Sequence, residues 1–200
     1  MTKVFTALAT SADGYITGPD PSQEQALGTG GGRLFDWYFD GDQPSRLFDG
    51  FRLAEPSREV FDGIAARVGA TLAGRTTYDH SGGWDGRGPH PTAPLFVLSH
   101  RPPPARLAGA PQVFVSTGIE DGIARASQAA GDLDVALMGS GMISAALRAG
   151  LLDEITVHQV PILLGGGTPL FAALPAAVEL DVARVVAAPG VTHLTFAVRR

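Results

Sequence analysis

Short apolar, β-branched runs alternate with helical stretches along most of this chain, and two strand-like runs then meet at Pro189-Gly190. That order constrains the fold more than any other feature. Lys3–Ala9 reads as a first strand, after which Asp13-Gly14 turns the chain. Ala70–Ala73, Leu95–Ser99, Gln112–Ser116, Asp134–Met138 and Ile155–Pro161 are further strands. Between them the spacing predicts helices. Pro56 suits a first helical turn, and Val60, Phe61, Ile64, Ala65 and Val68 follow, with Gly69 as the stop. Thr117-Gly118-Ile119-Glu120 has capping-box spacing and opens a helix through Ala130, and another covers Ser140–Ala149 with Gly150 as its cap. Residues 179–188 and 191–198 form an antiparallel hairpin, the second run alternating Leu194, Phe196 and Val198. The sum is an α/β fold, a mixed and mostly parallel sheet with an antiparallel C-terminal hairpin, faced by helices.

The 200 residues suit one domain over 1–200, long enough to bury its own core. Within it, residues 17–54 are rich in Gly, Pro and Asp and read as an inserted loop. The chain has no cysteine, which removes disulfides, thiolate metal sites and cysteine nucleophiles. The five histidines show no metal-ligand spacing, so no metal is expected. A net charge of −5 argues against nucleic acid as a partner. Lys3 is the only lysine among fifteen basic residues, which sets aside Schiff-base and P-loop chemistry unless Lys3 itself serves. The N-terminus reads as a strand rather than a signal peptide, and no apolar run approaches the roughly 18 residues of a membrane span. A cytoplasmic protein with no membrane partner is expected.

Three strand exits carry polar chemistry. Val135–Met138 runs into Gly139-Ser140-Gly141 and then a helix. Glycines let the backbone approach a diphosphate, and the amides and dipole of a helix start favour an anion. A tight turn that binds nothing is the alternative. A Rossmann fingerprint is excluded, because Ser144 stands where its third glycine belongs and Asp153 and Glu154 come too soon for its acidic residue. Gly74-Arg75-Thr76-Thr77-Tyr78 offers a glycine, a guanidinium and two hydroxyls; a capped surface helix is its bland reading. Ser99-His100-Arg101 has the groups to hold the 2′-phosphate that separates NADP from NAD, or is only a polar strand exit. Three such sites at the carboxyl ends of successive strands lie where open α/β sheets bind ligands.

The order of these motifs resembles the dihydrofolate-reductase-like superfamily. It is most similar to the branch containing the C-terminal reductase domain of the riboflavin-biosynthesis protein RibD and its stand-alone relatives. The matching segments are Ser11-Ala12-Asp13-Gly14-Tyr15-Ile16, Gly74 to Tyr78, Phe96-Val97-Leu98-Ser99 and Gly139-Ser140-Gly141. They continue with Leu151-Leu152-Asp153-Glu154-Ile155, Val160 to Gly167 and Pro169-Leu170-Phe171, and so extend along nearly the whole chain except the 17–54 insert. The resemblance implies a three-layer α/β/α fold, NADPH as hydride donor and a homodimer. By position, Gly74, Arg75, Thr76 and Thr77 would meet the cofactor phosphates. Leu98, Ser99, His100 and Arg101 would lie at the adenosine 2′-phosphate. Gly139, Ser140, Gly141, Met142 and Ile143 would line the diphosphate, with Ala7 and Ile16 flanking the nicotinamide and Ser116 on the adenine side.

The departures concern the substrate. Riboflavin-pathway reductases place a Glu before the glycine turn to hold a sugar chain, and here Met138, a weak acceptor, takes its place. Dihydrofolate reductase places a buried acid early in the helix before the Gly-Arg segment. Glu55, Glu59 and Asp62 are near, but Asp62 reads as a solvated helix residue. Asp13 is the candidate proton donor, with Tyr78 and Asp62 in reserve, although Asp13-Gly14 also reads as a plain turn. Trp37, Tyr38 and Phe39 would cap a substrate pocket, or pack a loop or an interface. His158 on a strand reads as a core or interface side chain. The expectation is an NADPH-dependent oxidoreductase of a small pterin- or pyrimidine-like heterocycle. The alternatives are a ligand-binding module without turnover and a 5-amino-6-(5-phosphoribosylamino)uracil reductase.

Overall fold

The structure is a computed structural model and describes residues 2–171 and 174–199. In chain order its elements are β1 (Val4–Ser11), β2 (Gln43–Pro44), β3 (Arg52–Leu53), α1 (Glu55–Ala66), β4 (Val68–Gly74) and α2 (Arg75–His80). There follow β5 (Leu95–Leu98), β6 (Val113–Val115), α3 (Ile119–Ala130), β7 (Asp134–Met138), α4 (Ser140–Arg148), β8 (Glu154–Val160), β9 (Leu180–Ala188) and β10 (Val191–Val198). Eight strands make one sheet in the order β6-β5-β4-β7-β1-β8-β10-β9, and β2 pairs with β3 apart from it. The pairings from β6 to β8 are parallel, while β10 runs antiparallel to both β8 and β9. The mixed sheet with a C-terminal hairpin is the one the residue pattern predicts.

Strand alternation sorts the side chains onto two faces. Val4 and Leu8 of β1, Leu72 of β4 and Val135 and Leu137 of β7 pack against α3 and α4 through Ile123, Ala126, Ile143 and Ala146. On the opposite face, Ala9, Val160 and Val191 meet Leu34, Trp37 and Leu53 from the segment before α1. β1 is apolar on both faces because it sits inside a parallel sheet covered on both sides. Burying a Leu or Phe side chain in such a core is worth about 1.5–3 kcal/mol.

Three local readings are corrected. Helical spacing carries α1 through Val68, yet the helix ends at Ala66 and Val68 begins β4, paired with Asp134. Gly69 is not a helix stop. A Cβ there would lie 2.6 Å from the Ala130 carbonyl oxygen, so it is a glycine of close approach between β4 and the end of α3. No capping box forms at α3. Its N-cap is Gly118 at φ 109°, with no side-chain cap bond, and the Thr117 hydroxyl donates to the Asp121 carboxylate. Residues 17–54 also hold more than an irregular loop: a 3-10 helix spans Gly31–Tyr38, and β2 and β3 form a short antiparallel pair.

Asp62, read as solvated, is buried on α1. It accepts from the Ser45 hydroxyl at 2.7 Å and from the Arg46 amide at 3.2 Å. It ties the 45–48 turn to the helix, which a charge in open solvent would not do. No helix among the described residues is long and apolar enough to cross a membrane.

Candidate active site

The sheet register brings the three polar strand exits side by side. Gly74 pairs with Leu98 across β4 and β5, and Ala73 pairs with Met138 across β4 and β7. Ser99, Gly74-Arg75 and Gly139-Ser140-Gly141 therefore follow the ends of three neighbouring strands. Parallel strands put all three exits on the same edge of the sheet.

Backbone and space together require glycine at 139, and Gly74 is closely packed. Gly139 has φ 102°, and a Cβ on it would come within 2.5 Å of the Thr77 hydroxyl oxygen. A Cβ on Gly74 would meet the Met142 side chain at 3.2 Å. The two strand-to-helix turns are thus packed against each other, with Thr77 as the contact. Gly141 opens onto free space, and the first amides of α4 have no intrahelical acceptor. A bulky anion can approach that turn through its backbone.

Arg75 and Arg101 share one carboxylate. Arg75 Nε donates to Asp79 Oδ1 at 2.7 Å, and Arg101 Nη2 to Asp79 Oδ2 at 3.0 Å. Arg75 Nη1 also reaches the Ser99 hydroxyl at 3.2 Å and the carbonyls of Arg101 and Pro102 at 3.1 and 3.0 Å. One negative charge against two positive ones leaves this corner cationic. Arg75 is held nearly fixed, whereas the Arg101 side chain, tied to Asp79 through Nη2, remains 65% exposed and accessible to a ligand.

The other expected cofactor residues fall into distinct settings. Thr76, His100 and Ser116 are exposed, and Leu98 packs at the edge of the core. Ile16 packs against the core too, its amide donating to the Thr168 carbonyl at 2.8 Å. Ser140 is buried at the start of α4. Met142 and Ile143 turn their side chains into the core and donate their amides to the Gly139 carbonyl at 3.0 and 3.1 Å, so neither offers a free donor to a diphosphate. Ala7 lines a cavity described below.

Asp13 and Tyr78 are engaged elsewhere. The Asp13 carboxylate accepts from the amides of Leu164 at 3.1 Å and Gly165 at 2.8 Å, pinning the glycine loop 165–167 to the β1 turn. The Ser11 hydroxyl and these two amides hold its carboxyl below the usual carboxylate range. Such contacts favour the ionised form, the opposite of what a proton donor needs. The Tyr78 hydroxyl donates to Gln112 at 2.9 Å beneath β5, and its burial raises its pKa.

On the α1 face, a cavity of about 450 Å³ runs across the sheet from Val68 at the start of β4 to Met138 at the end of β7. Ala7 of β1 and Met138 of β7 form part of its floor, and Met138 immediately precedes Gly139, so cavity and glycine turn meet at one strand end. Its walls are aromatic: Tyr38, Phe39, Phe48 and Phe51 from the segment before α1, Phe61 of α1, and Trp84. Trp37 lies behind them, stacked on Tyr38 at 4.1 Å. Tyr38 and Phe39 thus wall a pocket while Trp37 packs the core.

Sequence reasoning missed Phe48, Phe51, Phe61 and Trp84. The available signal was density, since Phe35, Trp37, Tyr38, Phe39, Phe48 and Phe51 crowd one stretch that carries no strand or helix pattern.

His158 also lines this cavity, and its Nδ1 lies 2.8 Å from Nδ1 of His193, whose Nε2 lies 3.0 Å from the Ser57 hydroxyl. Burial, reinforced by the neighbouring imidazole, pushes His158 down to about 3; burial takes His193 to about 4. Both rings are neutral at neutral pH. His158 is a core side chain, as its strand position suggests, but one with an edge on the cavity.

Comparison with curated proteins finds no match. Among solved structures, a protein from Shewanella sp. PV-4 assigned to riboflavin biosynthesis is 27% identical, with 100% of each chain covered and a TM-score of 0.71. RibD from Acinetobacter baumannii is 16% identical at a TM-score of 0.63, the match covering all of this chain and 58% of that one. A dihydrofolate reductase from Enterococcus faecalis, complexed with NADP(H), is 15% identical at a TM-score of 0.56 over 99% and 97% of the two chains. The last two are likenesses of fold. The profile of the RibD C-terminal domain matches residues 2–194, which include all three strand exits and the cavity beside them, and the chain belongs to that family.

Proposed function

We propose that the chain is an NADPH-dependent oxidoreductase that reduces a small heterocyclic substrate. One observation carries this reading: Ser99-Arg101, Gly74-Thr77 and Gly139-Gly141 converge on one sheet edge, and a cavity opens where the last of them begins. The residues fit the cofactor. The gap left by the missing Cβ of Gly141, with the first amides of α4, suits a diphosphate. Arg101, supported by Arg75 through Asp79, suits the adenosine 2′-phosphate, with His100 and Ser99 beside it. Ala7 and Met138 leave the cavity floor flat and uncharged under a nicotinamide.

NADPH supplies a hydride when bound, so the protein needs no nucleophile. Its residues orient the two partners and keep water from the reacting face. In this reading Asp13 holds the glycine loop rather than a proton.

No carboxylate lines the cavity among the described residues, and this favours a second reading, a ligand-binding module on the same fold without turnover. Steady-state NADPH oxidation across dihydropterins, flavin precursors and cyclic imines separates the two. Turnover with any of them supports the reductase, and NADPH binding with none of them turned over supports the module. The homodimer implied by the resemblance and the cytoplasmic location expected from the sequence belong to the same proposal; light scattering checks the first and cell fractionation the second.

A further inference from the structure

The wall of the cavity restricts what enters it. None of its lining residues among those described is Asp, Glu, Lys or Arg, and its two histidines are held neutral by burial. His90 is occupied besides: its Nε2 lies 3.1 Å from the Ala65 carbonyl and its Nδ1 accepts from the Ala93 amide at 3.0 Å. An anion entering this space finds no countercharge, and burying an unpaired charge costs far more than burying a neutral ring. Aromatic faces on several sides favour a flat guest, since offset and edge-on ring contacts add to simple area burial.

Two polar groups remain on this wall. The Tyr38 hydroxyl has no hydrogen-bond partner among the described residues, and its burial raises its pKa, so it stays protonated. The His158 tautomer follows from the chain behind it. The Ser57 hydroxyl is buried and His193 Nε2 is its one partner among the described residues; an unpaired buried O–H costs more than an unused lone pair, so Ser57 is assigned as the donor and His193 Nε2 as the acceptor. His193 then carries its proton on Nδ1 and donates to His158 Nδ1. His158 is left with its proton on Nε2, the nitrogen with no protein partner. Ser57, through His193, fixes a neutral N–H donor at the cavity wall.

We propose that this cavity selects an uncharged, flat heterocycle without phosphate or carboxylate, whose carbonyl or ring-nitrogen edge accepts from the Tyr38 hydroxyl and from His158 Nε2–H. This rests on the reductase reading for the substrate's role, though not for its binding. It sets aside a phosphoribosyl-pyrimidine, whose dianionic phosphate finds no cation here and whose sugar chain finds Met138.

Fluorescence titration with 6-methylpterin and pterin-6-carboxylate, two rings that differ in charge, tests the proposal at neutral pH with and without NADPH. The neutral ring should bind at least about tenfold tighter than the anion. Tyr38→Phe should weaken 6-methylpterin about 3- to 10-fold while leaving the melting temperature nearly unchanged. His158→Leu should weaken it similarly, and His158→Gln, which keeps an N–H, should hold most of the affinity. If the His158 variants do not fold, Tyr38→Phe and the ring pair decide. Equal or tighter binding of pterin-6-carboxylate, or no effect of Tyr38→Phe, overturns the proposal. A separate NADPH titration distinguishes the two failures. Neutral-ring binding without NADPH binding sinks the reductase reading alone, and NADPH binding with preference for the anion sinks the cavity proposal alone.

Discussion

Gly139→Ala should damage the turn in two separable ways. The backbone sits at φ 102° and ψ 139°, a region almost reserved for glycine, and a side chain there costs about 1–3 kcal/mol. The new Cβ would also stand 2.5 Å from the Thr77 hydroxyl oxygen, closer than real Cβ contacts come. Thr77 is β-branched and stiff at χ1, so relief means moving the start of α2 against α4. The backbone contribution alone predicts a melting temperature lower by roughly 2–12 °C for a chain of this size. Adding Thr77→Ala removes the contact and leaves the backbone strain, so the double variant should recover part of the loss but not all of it. Chemical denaturation gives the stability ladder, and NADPH titration on the same samples should show weakened binding in both variants. A Gly139→Ala protein as stable as wild type, with the same NADPH affinity, would refute the reasoning.

Other perturbations read other parts of the account. Asp62→Ala leaves the Ser45 hydroxyl and Arg46 amide without their acceptor and should cost about 1–3 kcal/mol in denaturant unfolding, with faster proteolysis between residues 39 and 52. The His158–His193 pair makes stability depend on pH. Both folded values, about 3 and about 4, lie below the ordinary 6.5, so the unfolded chain binds the extra protons as the medium acidifies. That contribution is complete above about pH 6.5 and is lost towards pH 4, with a slope approaching about 1.4 kcal/mol per pH unit for each histidine. A His158→Gln, His193→Gln double variant followed from pH 7 to 4 should lose this slope. Asp13→Ala frees the amides of Leu164 and Gly165 and should raise hydrogen exchange in the 164–167 loop, while any turnover keeps its pH profile; an altered acidic limb would restore Asp13 as a proton donor.

The sheet was legible because its strands are β-branched runs with apolar residues on both faces, and the terminal hairpin because Leu194, Phe196 and Val198 alternate. Local rules failed where a distant contact decides. Val68 fits the helical spacing of α1, but pairing with Asp134 and the crowding of Gly69 against Ala130 draw it into β4. Thr117 has the spacing of a capping box, and Gly118 at φ 109° leads the chain into α3 without one. The adjacency of the three strand-exit motifs was readable because each is short and sits at a strand end, though the carboxylate of Asp79 joining Arg75 to Arg101 was not. The cavity was hidden, since its wall gathers side chains from Ala7 to His158, and the Ser57–His193–His158 chain links residues up to 136 positions apart. Nothing in the local spacing of Phe48 or Phe51 tells that they share a wall with β1.

The central claim is that the three strand exits hold NADPH, and the corner at Arg101 makes it testable without disturbing the fold. Calorimetric titration of NADPH and NADH into wild type and into Arg101→Ala, a largely exposed side chain, measures it directly. The account predicts that wild type prefers NADPH and that Arg101→Ala loses most of that preference while NADH affinity stays nearly constant. Wild-type protein that binds neither nucleotide, or an Arg101→Ala protein with its NADPH preference intact, would contradict it.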